Sequence, residues 1–169
     1  KQQRVVYFNG EYVPESEAKI SIYDSALMFG DMVFEMTRSF NGKQWKLKEH
    51  LERLYTGVKI LRIPLKMSIA EMETAVYETI ERNRTAFSDD DEHRVLIDVT
   101  RGLLSLYHGI EGTEPGPNVV IADFPLRWTV QGCSKLYDTG INLKIPYQRA
   151  IPSHLMEPKI KNRSRLFYL

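Results

Sequence analysis

Leu47, Leu51, Leu54, Val58 and Leu61 recur at spacings of four, three, four and three, and this stripe constrains the fold more than any other feature of the chain. The period places all five side chains on one face of an α-helix, and that face has to be covered. Pro64 ends the run, because its ring removes a backbone donor and blocks the next turn. A second helix follows at once. Ser68-Ile69-Ala70-Glu71 is a capping box, and Ile69, Met72, Val76 and Ile80 form the stripe behind it.

Two amphipathic helices in tandem need a shared apolar surface, and the segments on either side supply strands. Residues 5–8 and 11–13 flank Asn9-Gly10, a dipeptide suited to a tight type I′ turn, so they read as a hairpin. Residues 33–40 read as another strand, followed by Asn41-Gly42 and by residues 44–47 as the return of a second hairpin. Strands over 94–101 and 118–124 come after the helices, and Val119-Val120-Ile121-Ala122 is the continuous apolar run of a buried strand. The acidic run 88–92 reads as a solvated loop. Residues 102–117 hold four glycines and two prolines and read as a long surface loop, of a length that often carries function.

This arrangement predicts an α+β domain over residues 1–125. The pattern weakens after Phe124: 125–134 reads as a linker, placed between the units at 126–136, and 141–145 as a short strand in a second unit over 137–169. The chain reaches Leu169 within an apolar stretch without a stop signal, so it reads as part of a longer protein.

Composition excludes several function classes. Lys and Arg total 23 against 22 for Asp and Glu, a formal net charge of +1, which gives no general attraction to nucleic acid or an anionic membrane. No apolar run approaches the roughly 18 residues of a membrane span. One cysteine, Cys133, leaves no internal disulfide and no multi-cysteine metal site, and the reading is a reduced, cytoplasmic protein. There is no glycine-rich phosphate loop, paired-histidine zinc motif or nucleophile elbow, and His50, His93, His108 and His154 are scattered.

Cationic residues in apolar settings remain. Arg53 lies beside the first helical stripe, either packing its stem along the core edge or aiming a guanidinium fork at phosphate or carboxylate. Arg38 sits inside a strand and Arg101 at a strand end beside the long loop, each a rim salt bridge or a carboxylate receptor. Lys159 and Lys161 lie in a basic segment, 158–166, which lacks the interleaved aromatics of a nucleic-acid site until Phe167. A lysine amine there can attack a carbonyl where its surroundings favour the neutral form.

These pieces occur in the order found in the class IV aminotransferases, the fold-type IV pyridoxal-phosphate enzymes, and the resemblance covers almost the whole chain. Tyr7-Phe8-Asn9-Gly10 resembles the opening hairpin. Gly30-Asp31-Met32-Val33-Phe34-Glu35 resembles the G-D-x-V-F-E signature, and Glu49-His50-Leu51-Glu52-Arg53-Leu54 the E-H-x-x-R-L segment. Val99-Thr100-Arg101-Gly102 is similar to a strand end of D-amino-acid transaminases and aminodeoxychorismate lyases. Lys161-Asn162-Arg163-Ser164-Arg165-Leu166 resembles the segment opened by the Schiff-base lysine.

The resemblance implies that Lys161 carries pyridoxal 5′-phosphate and shuttles the substrate's α-proton. It implies that Arg53 holds the cofactor phosphate, that Phe34 and Arg38 line the substrate side, and that Arg101 faces a carboxylate. It implies a small N-terminal domain, a linker and the start of a larger domain. The acidic partner of the pyridine nitrogen and a second phosphate loop are expected beyond Leu169. Amino-acid and 2-oxo-acid substrates are implied, as is a homodimer docked through the 102–117 loop, with Tyr107 and His108 near its start. Substrate signals point both ways: Arg38 is of the branched-chain type, yet Arg94-Val95-Leu96 lacks that type's Tyr-x-Arg and Leu166 stands where it has a tyrosine. Leu103 replaces the histidine of the D-amino-acid type. The leading expectation is an aminotransferase; the alternatives are aminodeoxychorismate lyase and a non-catalytic dimerisation module.

Overall fold

The computed structural model describes residues 3–111, 115–147 and 149–164. In chain order the elements are β1 (Val5–Phe8), β2 (Glu11–Pro14), α1 (Ser25–Phe29), β3 (Met32–Phe40), β4 (Lys43–Gln44), α2 (Leu47–Leu61), α3 (Ile69–Asn83), β5 (His93–Thr100), β6 (Val119–Pro125) and α4 (Arg127–Thr139). The strands form one antiparallel sheet in the order β2-β1-β6-β5-β3-β4. The first hairpin turns at Asn9 (φ 51°) and Gly10 (φ 103°), backbone values that Asn and Gly tolerate better than other residues.

Register assigns the two faces of the sheet. Val33 pairs with Val99 and Val99 with Val119; Glu35 pairs with Ile97 and Ile97 with Ile121. These rows share a face, and α2 and α3 cover it with Leu47, Leu51, Leu54, Val58, Met72 and Val76, forming the core. The opposite face carries the rows Phe34–Asp98 and Arg38–Arg94. α2 stops before Pro64 and α3 starts at its capping box, as the sequence indicates. Ser68 and Glu71 complete the capping box of α3, and α2 ends through Arg62 in the left-handed conformation, with Pro64 beyond it. At the mouth of the long loop, Gly102 (φ 82°) runs so close to Gly116 that a Cβ would lie 1.6 Å from the Gly116 carbonyl oxygen.

Several expectations fail. The 125–134 stretch is not an extended linker: α4 occupies most of it. None of the residues of α4 is buried, yet Leu126, Val130, Cys133 and Tyr137 recur at spacings of four, three and four, a helical period that the linker expectation passes over. Its first turn touches the sheet, where Trp128 stacks on Phe124 and Arg94 donates to Thr129. Residues 141–145 form no strand, and Leu143 and Ile145 are exposed. An apolar run becomes a strand only where a neighbour takes up its backbone donors and acceptors, and none does so here among the described residues. The return strand of the second hairpin has two residues, because Leu47 already belongs to α2. The acidic run is not wholly solvated. Glu92 accepts from the Ser39 hydroxyl and from the N–H groups of Asn41 (2.6 Å) and Gly42 (3.3 Å), which clamps the β3–β4 turn, and Asp91 pairs with Arg127 at 3.2 Å. The expectations placed on Arg165 and Leu166 lie outside the described residues.

Candidate active site

β3 pairs with β4 only at Ser39 and Phe40, so its edge is open along Met32–Thr37. The segment 160–163 wraps this edge. Ile160 packs against the core on the helix side, the Phe34 N–H donates to the Lys161 carbonyl at 3.0 Å, and Arg163 lands on the opposite face. There the Arg163 guanidinium lies 4.6 Å from the Phe34 ring centroid and donates to Asp98 at 3.1 Å. The strand edge therefore fixes Lys161 between the two faces of the sheet.

Glu35 is the centre of charge. Strand alternation puts it on the helix side with Val33, and its side chain is 0% exposed. Oε1 accepts from Arg53 Nε, and Oε2 accepts from Arg53 Nη2 at 2.8 Å. His50 Nδ1 lies 2.7 Å from Oε2, and Lys161 Nζ lies 3.5 Å from the same oxygen. His50 and Arg53 reach one carboxylate because positions three apart share a helix face. Burial pushes the Glu35 carboxyl up, but the hydrogen bonds from Arg53 and His50 and the Lys161 charge outweigh it, and the group is held below the ordinary carboxylate value.

Two cavities meet at Lys161. One, of about 460 Å³, is lined by Arg53, Met156, Lys159, Lys161, Asn162 and Ser164. The other, of about 790 Å³, is lined by Phe34, Met36, Arg38, Trp45, Lys161 and Arg163, with His50 and Arg94 among its further walls. The Lys161 side chain is 32% exposed, and its ammonium stands 5.1 Å from the Phe34 ring centroid. Four of the five site residues expected from sequence thus gather here: Lys161 and Arg53 on one cavity, Lys161, Phe34 and Arg38 on the other. Lys159 lines the first cavity only, and its backbone N–H donates to Glu157 at 3.1 Å.

Arg101 stands apart. Its guanidinium donates to Asp31 through Nε and, at 3.3 Å, through Nη2, and to the carbonyls of Arg62 (3.0 Å) and Leu61 (2.6 Å). It thereby ties the end of β5 to the C-terminus of α2. Sequence reasoning missed Glu35 and His50 as site residues. The signal was present: a glutamate at a position whose strand neighbours in phase, Val33 and Thr37, face inward, and a histidine three residues before Arg53. Among the described residues no cluster of His, Cys, Asp and Glu could hold a metal, and no helix is long and apolar enough to cross a membrane.

The sequence model of the amino-transferase class IV family matches residues 32–169, and the chain belongs to that family. A Methanocaldococcus jannaschii protein named "Putative branched-chain-amino-acid aminotransferase" is 32% identical over 162 residues, which are 95% of this chain and 52% of that protein. The D-alanine aminotransferase of Staphylococcus aureus is 30% identical over 115 residues, 68% of this chain and 39% of that protein. Among solved structures, the T.th. branched-chain amino acid aminotransferase complexed with N-(5′-phosphopyridoxyl)-L-glutamate superimposes with a TM-score of 0.72 at 25% identity, covering 95% of this chain and 50% of that one. The chain therefore spans about half the length of the first of these relatives and less of the second.

Proposed function

We propose that the protein is a pyridoxal 5′-phosphate-dependent transaminase that exchanges an amino group between an amino acid of the branched-chain type and a 2-oxo acid. The observation that carries this reading is the place of Lys161, which borders one cavity with Arg53 and another with Phe34 and Arg38. Family membership and the two sets of named relatives support the reaction class. The wide coverage by branched-chain enzymes, with the apolar Phe34, Met36 and Trp45 on the second cavity, supports the substrate type.

The donor set fits the cofactor. A half-exposed guanidinium and a primary amine share one cavity, matching a phosphate and an aldehyde on one ring. When bound, pyridoxal 5′-phosphate supplies an electron sink for the substrate's α-carbon. Arg53 anchors the phosphate. Lys161 Nζ would tether the cofactor, and as a free amine it would move the substrate's α-proton. Phe34 walls the substrate side, and Arg38 offers a cation there. Arg101 would reach a substrate carboxylate only by exchanging Asp31 for it.

In this reading residues 1–125 form the small domain and 137–169 open the second, with α4 running through the connection and three residues into the second unit. The unit is a homodimer, supported by an exposed apolar patch of Ile22, Leu27, Phe29 and Leu106, which the stacked rings of Tyr23 and Tyr107 join. The single cysteine suits a cytoplasmic setting. The test is an amino-donor panel on the intact protein with cofactor. Turnover of branched-chain donors with a 2-oxo acid is expected. Release of pyruvate from aminodeoxychorismate without transamination would replace the reading with the lyase, and turnover confined to D-alanine would correct the substrate type.

A further inference from the structure

Arg53 has five N–H donors. Glu35 takes Nε–H and one Nη2–H from it in a fork-to-fork pair, which leaves three donors for other acceptors. Arg53 also lines the 460 Å³ cavity, and its side chain remains 48% exposed. The carboxylate itself is wholly buried on β3, inside the sheet, where its backbone cannot move without disturbing the pairing of Glu35 with Ile97. A long arginine side chain on a helix surface would otherwise sample many rotamers, and holding it in one has an entropic cost for whatever ligand orders it. Here the protein meets that cost before any ligand arrives.

We infer that Glu35 is the positioning residue of the phosphate anchor: it pins the Arg53 guanidinium so that its remaining donors present a fixed anion receptor to the cavity. His50 braces the same carboxylate from one helical turn before Arg53, and Lys161 shares its Oε2 from the strand edge. The inference rests on the reading of Arg53 as the phosphate anchor. It adds the residue that sets the anchor's geometry and a signature of that residue, namely that its effect is larger on a ligand carrying a phosphate than on a phosphate-free ligand that reaches only Lys161 beside the same carboxylate.

The test is a double-mutant cycle on the apo form of the intact protein, with pyridoxal 5′-phosphate and phosphate-free pyridoxal as probes in equilibrium dialysis. Arg53→Ala is expected to weaken the phosphorylated probe by about ten- to a hundredfold and pyridoxal little, on the scale of a charge-assisted bidentate contact. Glu35→Gln keeps the shape and removes the charge; any change at Lys161 is common to both probes, and beyond it the variant is expected to weaken the phosphorylated probe about tenfold more than pyridoxal, a difference that adds little in the Arg53→Ala background. Should the amide variant fail to fold, Glu35→Asp decides, because it keeps the charge and shortens the reach; a partial loss, larger on the phosphorylated probe, is expected. If Arg53→Ala leaves the affinity unchanged, the reading of Arg53 as anchor is wrong. If Arg53→Ala weakens binding while the Glu35 variants affect both probes alike, affect neither, or add fully to Arg53→Ala, the anchor stands and the inference about Glu35 is overturned.

Discussion

Glu35 gathers an arginine fork, a histidine ring nitrogen and a lysine ammonium on two buried oxygens, and no other side chain in the site has so many charged neighbours. Removing one partner from such a group leaves an uncompensated buried charge, and that is costlier than the pair is stabilising. The charge also dictates an acid response. Because the folded-state value of Glu35 lies below its ordinary 4.5, its contribution to stability is in place above 4.5 and is lost as pH falls through the lower folded value. Asp98 and Asp123 act with the opposite sign: burial raises both, with Arg163 and His93 only partly offsetting it, so the cost of their ionised forms is relieved as pH falls. Comparing Glu35→Gln with the parent isolates the first effect. In urea unfolding across the acid range, the gap between the two proteins should be widest at neutral pH and narrow as the pH drops below 4.5. A gap of constant width would mean that the Glu35 charge does not stabilise the fold.

The elements divide between those read correctly from the sequence and those misread. α2 and α3 each bury one stripe, and their periods, the stop before Pro64 and the capping box at Ser68 and Glu71 are legible, whereas Lys46 caps α2 with no side-chain hydrogen bond to announce it. The hairpin turn is legible because Asn9 and Gly10 must adopt positive φ. α4 buries no residue but keeps the helical period of Leu126, Val130, Cys133 and Tyr137, so it is readable as a helix and the linker expectation misreads it; residues 141–145 have strand composition but no neighbour to pair with among the described residues. The site is legible as residue types at family spacing, whereas its charge balance is not, because Glu35, His50, Arg53 and Lys161 meet only when β3, α2 and the strand-edge segment fold together. Two substitutions test the element packing. A Cβ at Gly57 on α2 would stand 2.8 Å from Val33 Cγ1, and Val33 is buried and stiff at χ1. Gly57→Ala should therefore destabilise by about 1–2 kcal/mol, because overpacking outweighs the gain of about 1 kcal/mol in helix propensity. A raised thermal midpoint would show that α2 lifts off β3 freely. Arg101→Lys keeps the charge but not the fork that joins Asp31 to the last carbonyls of α2, and a loss of about 1–2 kcal/mol is expected in denaturant unfolding. An unchanged midpoint would free Arg101 from its structural role and return it to consideration as a substrate ligand.

At the scale of the whole molecule, the sheet acts as a partition with chemistry at its edge. One face is filled by two helices and holds Glu35; the other carries Phe34, Met36 and Arg38; and the segment that wraps the open edge of β3 delivers Lys161 to both sides. In the proposed reaction this geometry lets a single amine serve an anchored cofactor on one side and a substrate on the other. It also explains why the identity of the lysine matters: Lys159, two residues earlier, lies before Ile160 enters the core and lacks the carbonyl contact to Phe34 that registers Lys161 against the strand. The exposed patch around Leu27 and Leu106 adds that the complete assembly should sediment as a dimer. The most direct measurement is borohydride reduction of the intact, cofactor-loaded protein followed by peptide mapping. A pyridoxyl group fixed on Lys161 is expected, with no labelling in a Lys161→Ala variant. A group fixed on Lys159, or labelling that survives the loss of Lys161, would contradict the assignment of Lys161.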